Sequence, residues 1–139
     1  MSNPTLITVS VNIKVSIDKT WEYFTNPTHI TQWYFASDDW CCPKAENDLQ
    51  TGGKFLTRME SKDGTMGFDF EGIYSAVENH KKIDYYLANE RTVSIIFETV
   101  NNETLVKEIF VAENENPVDM QQAGWQAILN NFKTYVENN

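Results

Sequence analysis

A chain of 139 residues with 41% hydrophobic, 13% aromatic and 22% charged residues has the make-up of one globular domain, expected to span 1–139, rather than of a disordered segment. The 20 Asp and Glu against 11 Lys and Arg leave a net charge of −9, and the basic residues are scattered apart from Lys81-Lys82, so neither nucleic acid nor an anionic membrane is an expected partner. No signal peptide opens the chain, no apolar run approaches the ~20 residues of a membrane span, and 2 cysteines make no disulfide framework, so the expected location is the cytoplasm.

Residues 5–15 alternate, with Ile7, Val9, Val11, Ile13 and Val15 on one side and Thr8, Ser10, Asn12 and Lys14 on the other. Period two in β-branched residues predicts a half-buried strand. Asp18 then offers a helix N-cap, with Trp21 and Phe24 on one helical face. Asn26-Pro27 repeats the start signal, and Ile30 and Trp33 follow at i and i+3. The spacing predicts two short helices between 18 and 35.

From about 43 to 112 the pattern is strand and turn. Leu49-Gln50-Thr51-Gly52-Gly53 and Lys62-Asp63-Gly64 are turn signals, and further breaks fall at Glu78-Asn79-His80, Asn89-Glu90-Arg91 and Asn101-Asn102. Between them Phe55/Thr57/Met59, Phe68/Phe70/Tyr74, Ile83/Tyr85/Leu87, Val93/Ile95/Phe97 and Leu105/Ile109/Val111 alternate with more polar neighbours. This predicts an antiparallel meander.

From Asn116, a candidate cap, Pro117 opens the longest helix, with Val118, Trp125, Ile128, Leu129, Phe132, Tyr135 and Val136 on one stripe. Gly124 within it costs about 1 kcal/mol against Ala, which predicts close approach to the sheet. The order strand, helix, helix, about six strands, long helix is an α+β arrangement whose sheet must be covered by that last helix. Whether a filled core or a partly open apolar cavity lies between them is not decided by the pattern.

The stretches "VSIDKTWEYFTNPTHITQWY", "ENDLQTGGKF" and "AGWQAILNNFKTYVE", in this order, resemble the SRPBCC (START-like) superfamily. Within it they resemble the branch related to the C-terminal domain of the activator of the heat-shock-protein-90 ATPase. Trp21, Trp33, the Leu49–Gly53 turn, Gly124-Trp125 and Leu129 are its most specific pieces. The resemblance implies a helix-grip fold, a seven-stranded antiparallel sheet around the C-terminal helix. It also implies a deep apolar pocket between them for lipids, polyketides or other hydrophobic molecules.

Candidate chemistry is sparse. Adjacent Cys41-Cys42 lacks the further ligands a metal site needs, with His29 in a helix and His80 in a turn, and reads as two structural thiols. Asp69, Glu71, Asp84, Glu98 and Glu108 lie in strands and read as a solvated outer face. No catalytic residue, metal or cofactor is expected. The inward aromatics supply the candidate ligand-binding set: Trp33, Phe35 and Trp40 around the end of the second helix, and Phe55, Met59, Phe68 and Phe70 in the first strands of the meander. Tyr74, Tyr85, Phe97, Trp125 and Leu129 complete it, with Tyr74, Tyr85 or, strand phase permitting, Arg58 orienting the ligand. The leading expectation is a small hydrophobic or aromatic ligand; the alternatives are a protein-interaction or stress-response module contacting a chaperone, and a cyclase- or aromatase-like enzyme.

Overall fold

The computed structural model describes residues 5–88 and 90–139. Its elements run β1 (Leu6–Ile13), α1 (Ile17–Thr25), α2 (Pro27–Trp33), β2 (Trp40–Asn47), β3 (Lys54–Ser61), β4 (Gly67–Glu78), β5 (Lys82–Leu87), β6 (Thr92–Val100), β7 (Glu103–Val111) and α3 (Val118–Glu137). The strands form one antiparallel sheet in the order β1-β7-β6-β5-β4-β3-β2, curled about α3 as the helix-grip reading predicts.

The strict alternation of β1 buries Ile7, Val9, Val11 and Ile13 against the core. As an edge strand β1 has carbonyls with no strand partner, and α3 supplies donors for three alternate ones. Gln122 Nε2 donates to the Thr8 carbonyl at 3.3 Å, Gln126 Nε2 to Ser10 at 3.0 Å, and Lys133 Nζ to Asn12 at 2.6 Å. Polar side chains on one flank of the helix thus cover the sheet edge, while its apolar stripe faces inward.

Helix α1 is capped by Ser16, whose Oγ accepts from the Lys19 N–H at 3.3 Å, and not by Asp18, which sits in the first turn. The Asn26 cap and Pro27 at the start of α2 are as expected, with Asn26 Oδ1 accepting from the Thr28 N–H at 2.9 Å. The Asn116 cap is not formed: Pro117 precedes α3 without a side-chain cap. Gln121 instead ties the preceding loop to the helix, accepting the Glu113 N–H at 2.9 Å and donating to the Glu113 and Asn116 carbonyls at 3.2 and 2.8 Å.

The turns follow the sequence signals. Gly52 has φ +86°, and a Cβ on Gly53 would stand 2.0 Å from the Asp48 carbonyl oxygen, so both positions require glycine. Asn101 and Asn102 have φ of 52° and 67°, the paired left-handed conformation of a two-residue hairpin.

Two further expectations are corrected, the phase of β7 and the close approach at Gly124. In β7 the inward residues are Thr104, Val106, Glu108 and Phe110, so Leu105, Ile109 and Val111 lie on the opposite face. Both faces of this strand are apolar, which left its phase open to misreading. Cys41 and Cys42 lie in edge strand β2, where the register shifts between Cys41 and Lys44 around Pro43; an edge bulge is where a strand tolerates proline. Gly124 approaches nothing: a Cβ there meets no atom within 4 Å.

Candidate ligand-binding cavity

Trp33, at the end of α2, is fixed from two directions. Its indole N–H donates to the Tyr23 carbonyl at 3.0 Å, and its own carbonyl accepts from Asn131 Nδ2 of α3 at 2.8 Å. This clamp sets the direction in which the chain leaves α2 and brings Tyr34, Phe35 and then Trp40 to the rim of an opening. Across from them, the β3–β4 hairpin presents Met59, Met66, Phe68 and Phe70. The third wall is α3, where Met120, Gly124 and Ile128 recur every four residues beside Gln121 and Trp125. That spacing puts them on one helical face.

The space is about 840 Å³ and half open to solvent. Trp125 is its best-fixed wall: its ring stacks on Phe110 at 3.8 Å and meets Phe70 edge-on at 6.0 Å. Tyr34 lies 6.1 Å from Phe70, and Trp40 lies 6.2 Å from Phe68, between ring centres. Around the mouth, Met66, Phe68 and Met120 are 63%, 48% and 61% exposed.

Of the twelve residues singled out by sequence, Phe35, Trp40, Met59, Phe68, Phe70 and Trp125 border this space. The other six, Trp33, Phe55, Tyr74, Tyr85, Phe97 and Leu129, are buried in the core that supports it. Phe55 packs against Tyr74 and Tyr85 at 5.3 and 4.7 Å. Tyr74 donates its hydroxyl to Asn47 Oδ1, and Asn47 Nδ2 reaches the Thr25 carbonyl at 2.7 Å, tying β2 and β4 to α1. Phe97 sits at the other end, edge-on to Trp21 and Phe24. Arg58 does not orient a ligand in this arrangement: it is paired with Glu60 at 2.9 Å and Asp69 at 3.3 Å outside the cavity.

The acid at the cavity was not anticipated, and of the expected orienting groups only Tyr85 lies near it. Glu108, read from sequence as an outer-face carboxylate, is 7% exposed and borders the cavity, and burial pushes its carboxyl up to about 8. Beside it the Tyr34 and Tyr85 hydroxyls lie against each other; burial pushes both well above the ordinary tyrosine value, and the Glu108 charge raises them further. Arg91 borders the same space, with Nη1 donating to the Val111 carbonyl at 3.2 Å. The sequence signal for Glu108 was its position between Val106 and Phe110, two large inward residues at i−2 and i+2.

The thiols contribute nothing to this geometry. Cys42 is buried, its Sγ lies 3.5 Å from the Lys44 carbonyl, and burial pushes the thiol up to about 11. Among the described residues no group of three or more His, Cys, Asp or Glu side chains is placed to hold a metal ion. No helix among them is long and apolar enough to cross a membrane.

Residues 14–137 match the family described as AHSA1, "Activator of Hsp90 ATPase homolog 1-like protein". The solution NMR structure of an AHSA1-like protein from Aeromonas hydrophila is 37% identical, with a TM-score of 0.87 over 95% of this chain and 93% of that one. A Cytophaga hutchinsonii protein solved in solution is 47% identical, with a TM-score of 0.82 over 96% of this chain and 92% of that one. A Chromobacterium violaceum protein at 17% identity and a TM-score of 0.86, covering 98% of this chain and 100% of that one, shares the fold. Among curated proteins none matches the chain. Matched over nearly its whole length, the chain belongs to the AHSA1-like family of the SRPBCC superfamily.

Proposed function

We propose that this protein binds a small hydrophobic or aromatic molecule in the cavity between α3 and the β2–β4 end of the sheet. The observation that carries the reading is the space itself: about 840 Å³, walled by Trp40, Phe68, Phe70 and Trp125, with a few polar groups at Glu108, Tyr34 and Arg91. Small-molecule sites are typically about 300–1,000 Å³, mostly apolar, with a small number of placed polar groups. Affinity comes from apolar burial at ~25 cal/mol per Å². The protein acts as a single domain in a reducing compartment such as the cytoplasm, where Cys41 and Cys42 stay free thiols.

The test is a titration with 2-ethylnaphthalene followed by amide chemical shifts. Binding in the cavity moves Phe70, Gly124 and Trp125 together and leaves Ile13 and Val136 in place. Gly124→Leu, which puts a branched side chain where a Cβ meets no atom within 4 Å, weakens binding at least tenfold while the protein stays folded. If no apolar compound moves these amides, the reading is wrong. A second reading, docking of a protein such as a chaperone, draws on the exposed Met66, Phe68 and Met120 at the mouth. Such a partner is lost on Phe68→Asp and indifferent to Gly124→Leu, the reverse sensitivity to cavity filling.

A further inference from the structure

Glu108 lies midway along β7, more than nine-tenths buried, on the border of the cavity. Among the described residues its carboxyl makes no hydrogen bond and no ion pair. A buried carboxyl without a protein partner is costly to ionise, and native structures pair such groups or use them. No packing role explains an acid here, since its inward neighbours Val106 and Phe110 show that apolar side chains suit this face.

The groups facing Glu108 from the surrounding elements are few. Tyr34, from the segment after α2, and Tyr85, from β5, feel its charge, with Tyr74 of β4 next to them; Arg91, just before β6, Glu113, after β7, and Gln121 of α3 border the same cavity. Tyr74 is committed to Asn47, Gln121 to the Glu113 and Asn116 backbone, and Arg91 donates to Val111. Glu113 adds a second acid to the lining. Phe70, Trp125 and Tyr34 line the same cavity, and aromatic rings attract cations over their faces. An ionised carboxylate only accepts, so its complement is a donor, and the strongest is a positively charged one. The net charge of −9 draws cations toward the protein as a whole.

We propose that the ligand of this cavity is an apolar or aromatic molecule bearing a protonated amine, with the ammonium against Glu108 and the apolar body among Phe68, Phe70 and Trp125. The assignment rests on the cavity being the binding site and names the chemistry that site selects. Binding ionises Glu108: the neutral carboxylic acid gives its proton to solvent and the resulting carboxylate pairs with the ammonium, so one proton leaves for each amine bound.

The experiment compares three probes of equal size on the whole chain by calorimetry: 2-naphthylmethylamine, 2-naphthalenemethanol and 2-ethylnaphthalene. The amine is expected to bind at least tenfold tighter than either neutral probe near pH 8. Glu108→Gln is expected to remove that preference while holding 2-ethylnaphthalene within about threefold of wild type, since truncating one partner of a buried charge pair loses most of the pairing. Titration of the wild type near pH 7 in two buffers of different ionisation enthalpy reads the proton release directly, close to one for the amine and none for 2-ethylnaphthalene, and does not depend on the variant folding. If 2-ethylnaphthalene or the alcohol binds as tightly as the amine, if the preference survives Glu108→Gln, or if no proton is released, the assignment falls and the apolar cavity reading stands. If none of the three binds, both fall together.

Discussion

In its C-terminal half α3 presses Leu129, Phe132 and Val136 into contact with the rest of the protein at 1%, 0% and 0% exposure. There Phe132 meets Trp33 at 4.6 Å and Phe24 edge-on at 5.1 Å. In its N-terminal half the same helix leaves Val118 and Met120 exposed and borders an open space with Gly124, Trp125 and Ile128. One amphipathic stripe therefore has two kinds of surroundings. The difference lies opposite the helix: α1 and α2 fill the space at one end, and at the other the β3–β4 hairpin leaves a gap. A helical stripe specifies which face points inward; what meets it is decided elsewhere in the chain.

The sharpest break between the halves should be energetic. Phe132→Ala empties a fully buried ring site and is expected to cost about 3–5 kcal/mol in urea unfolding. The parallel change Met120→Ala, at an exposed position, should stay within about 0.5 kcal/mol. A cost below about 1 kcal/mol at Phe132 would mean that the closed end is not closed, and the contrast would collapse.

The second test concerns pH. Glu108 has a folded value of about 8 against an ordinary 4.5, because burial disfavours its charge. The folded state therefore holds this proton more tightly than the unfolded chain does. Its contribution to stability is complete below about pH 4, is lost as pH rises through the interval up to about 8, and changes no further above that. Unfolding free energy should fall by roughly 3 kcal/mol between about pH 5 and pH 8 relative to Glu108→Gln, whose side chain does not titrate. Denaturation curves for the two proteins that run parallel across that interval would show that the carboxyl is solvated, and Glu108 would no longer count as a buried acid of the open end.

The two ends were not equally legible. Where a single period and a turn residue both spoke, the elements were plain: β1 from its alternation, α2 from Asn26-Pro27, the hairpins from Gly64 and Asn101-Asn102, and α3 from its stripe. Seven strands and their wrapping around α3 came with the family resemblance. The site was half legible. Aromatic content near Trp33 and Trp40 pointed to the right region, yet Trp33 itself is a clamp beneath the rim. Trp33 and Tyr34 are neighbours of similar chemistry; only the geometry of the chain leaving α2 sends one into the core and the other to the cavity. Glu108 was hidden because β7, between β1 and β6, has Leu105, Ile109 and Val111 on one face and Val106 and Phe110 on the other. Period two then fits either phase, and an acid defaults to the outside. The caps failed for a related reason: Ser16 and Asp18 both suit a helix start, and the loop before α3 is held by Gln121 reaching back from within the helix, with no side-chain cap at Asn116.

Gly124 separates the ends with the smallest change of all. A glycine inside a helix is commonly explained by close packing, and the same residue at the closed end would have had to be read that way. At the open end a Cβ meets no atom within 4 Å, so nothing offsets the backbone entropy that glycine loses. Gly124→Ala should therefore stabilise the fold by about 0.5–1 kcal/mol, seen as a rise in Tm, because alanine restricts the unfolded chain without colliding with anything in the folded one. A fall in Tm would mean that the sheet closes onto this turn of α3 and that the cavity is smaller than its walls indicate. With stability unchanged or raised, the retained glycine is explained by the space it leaves, which links the weakest point of the helix to the volume available for a ligand.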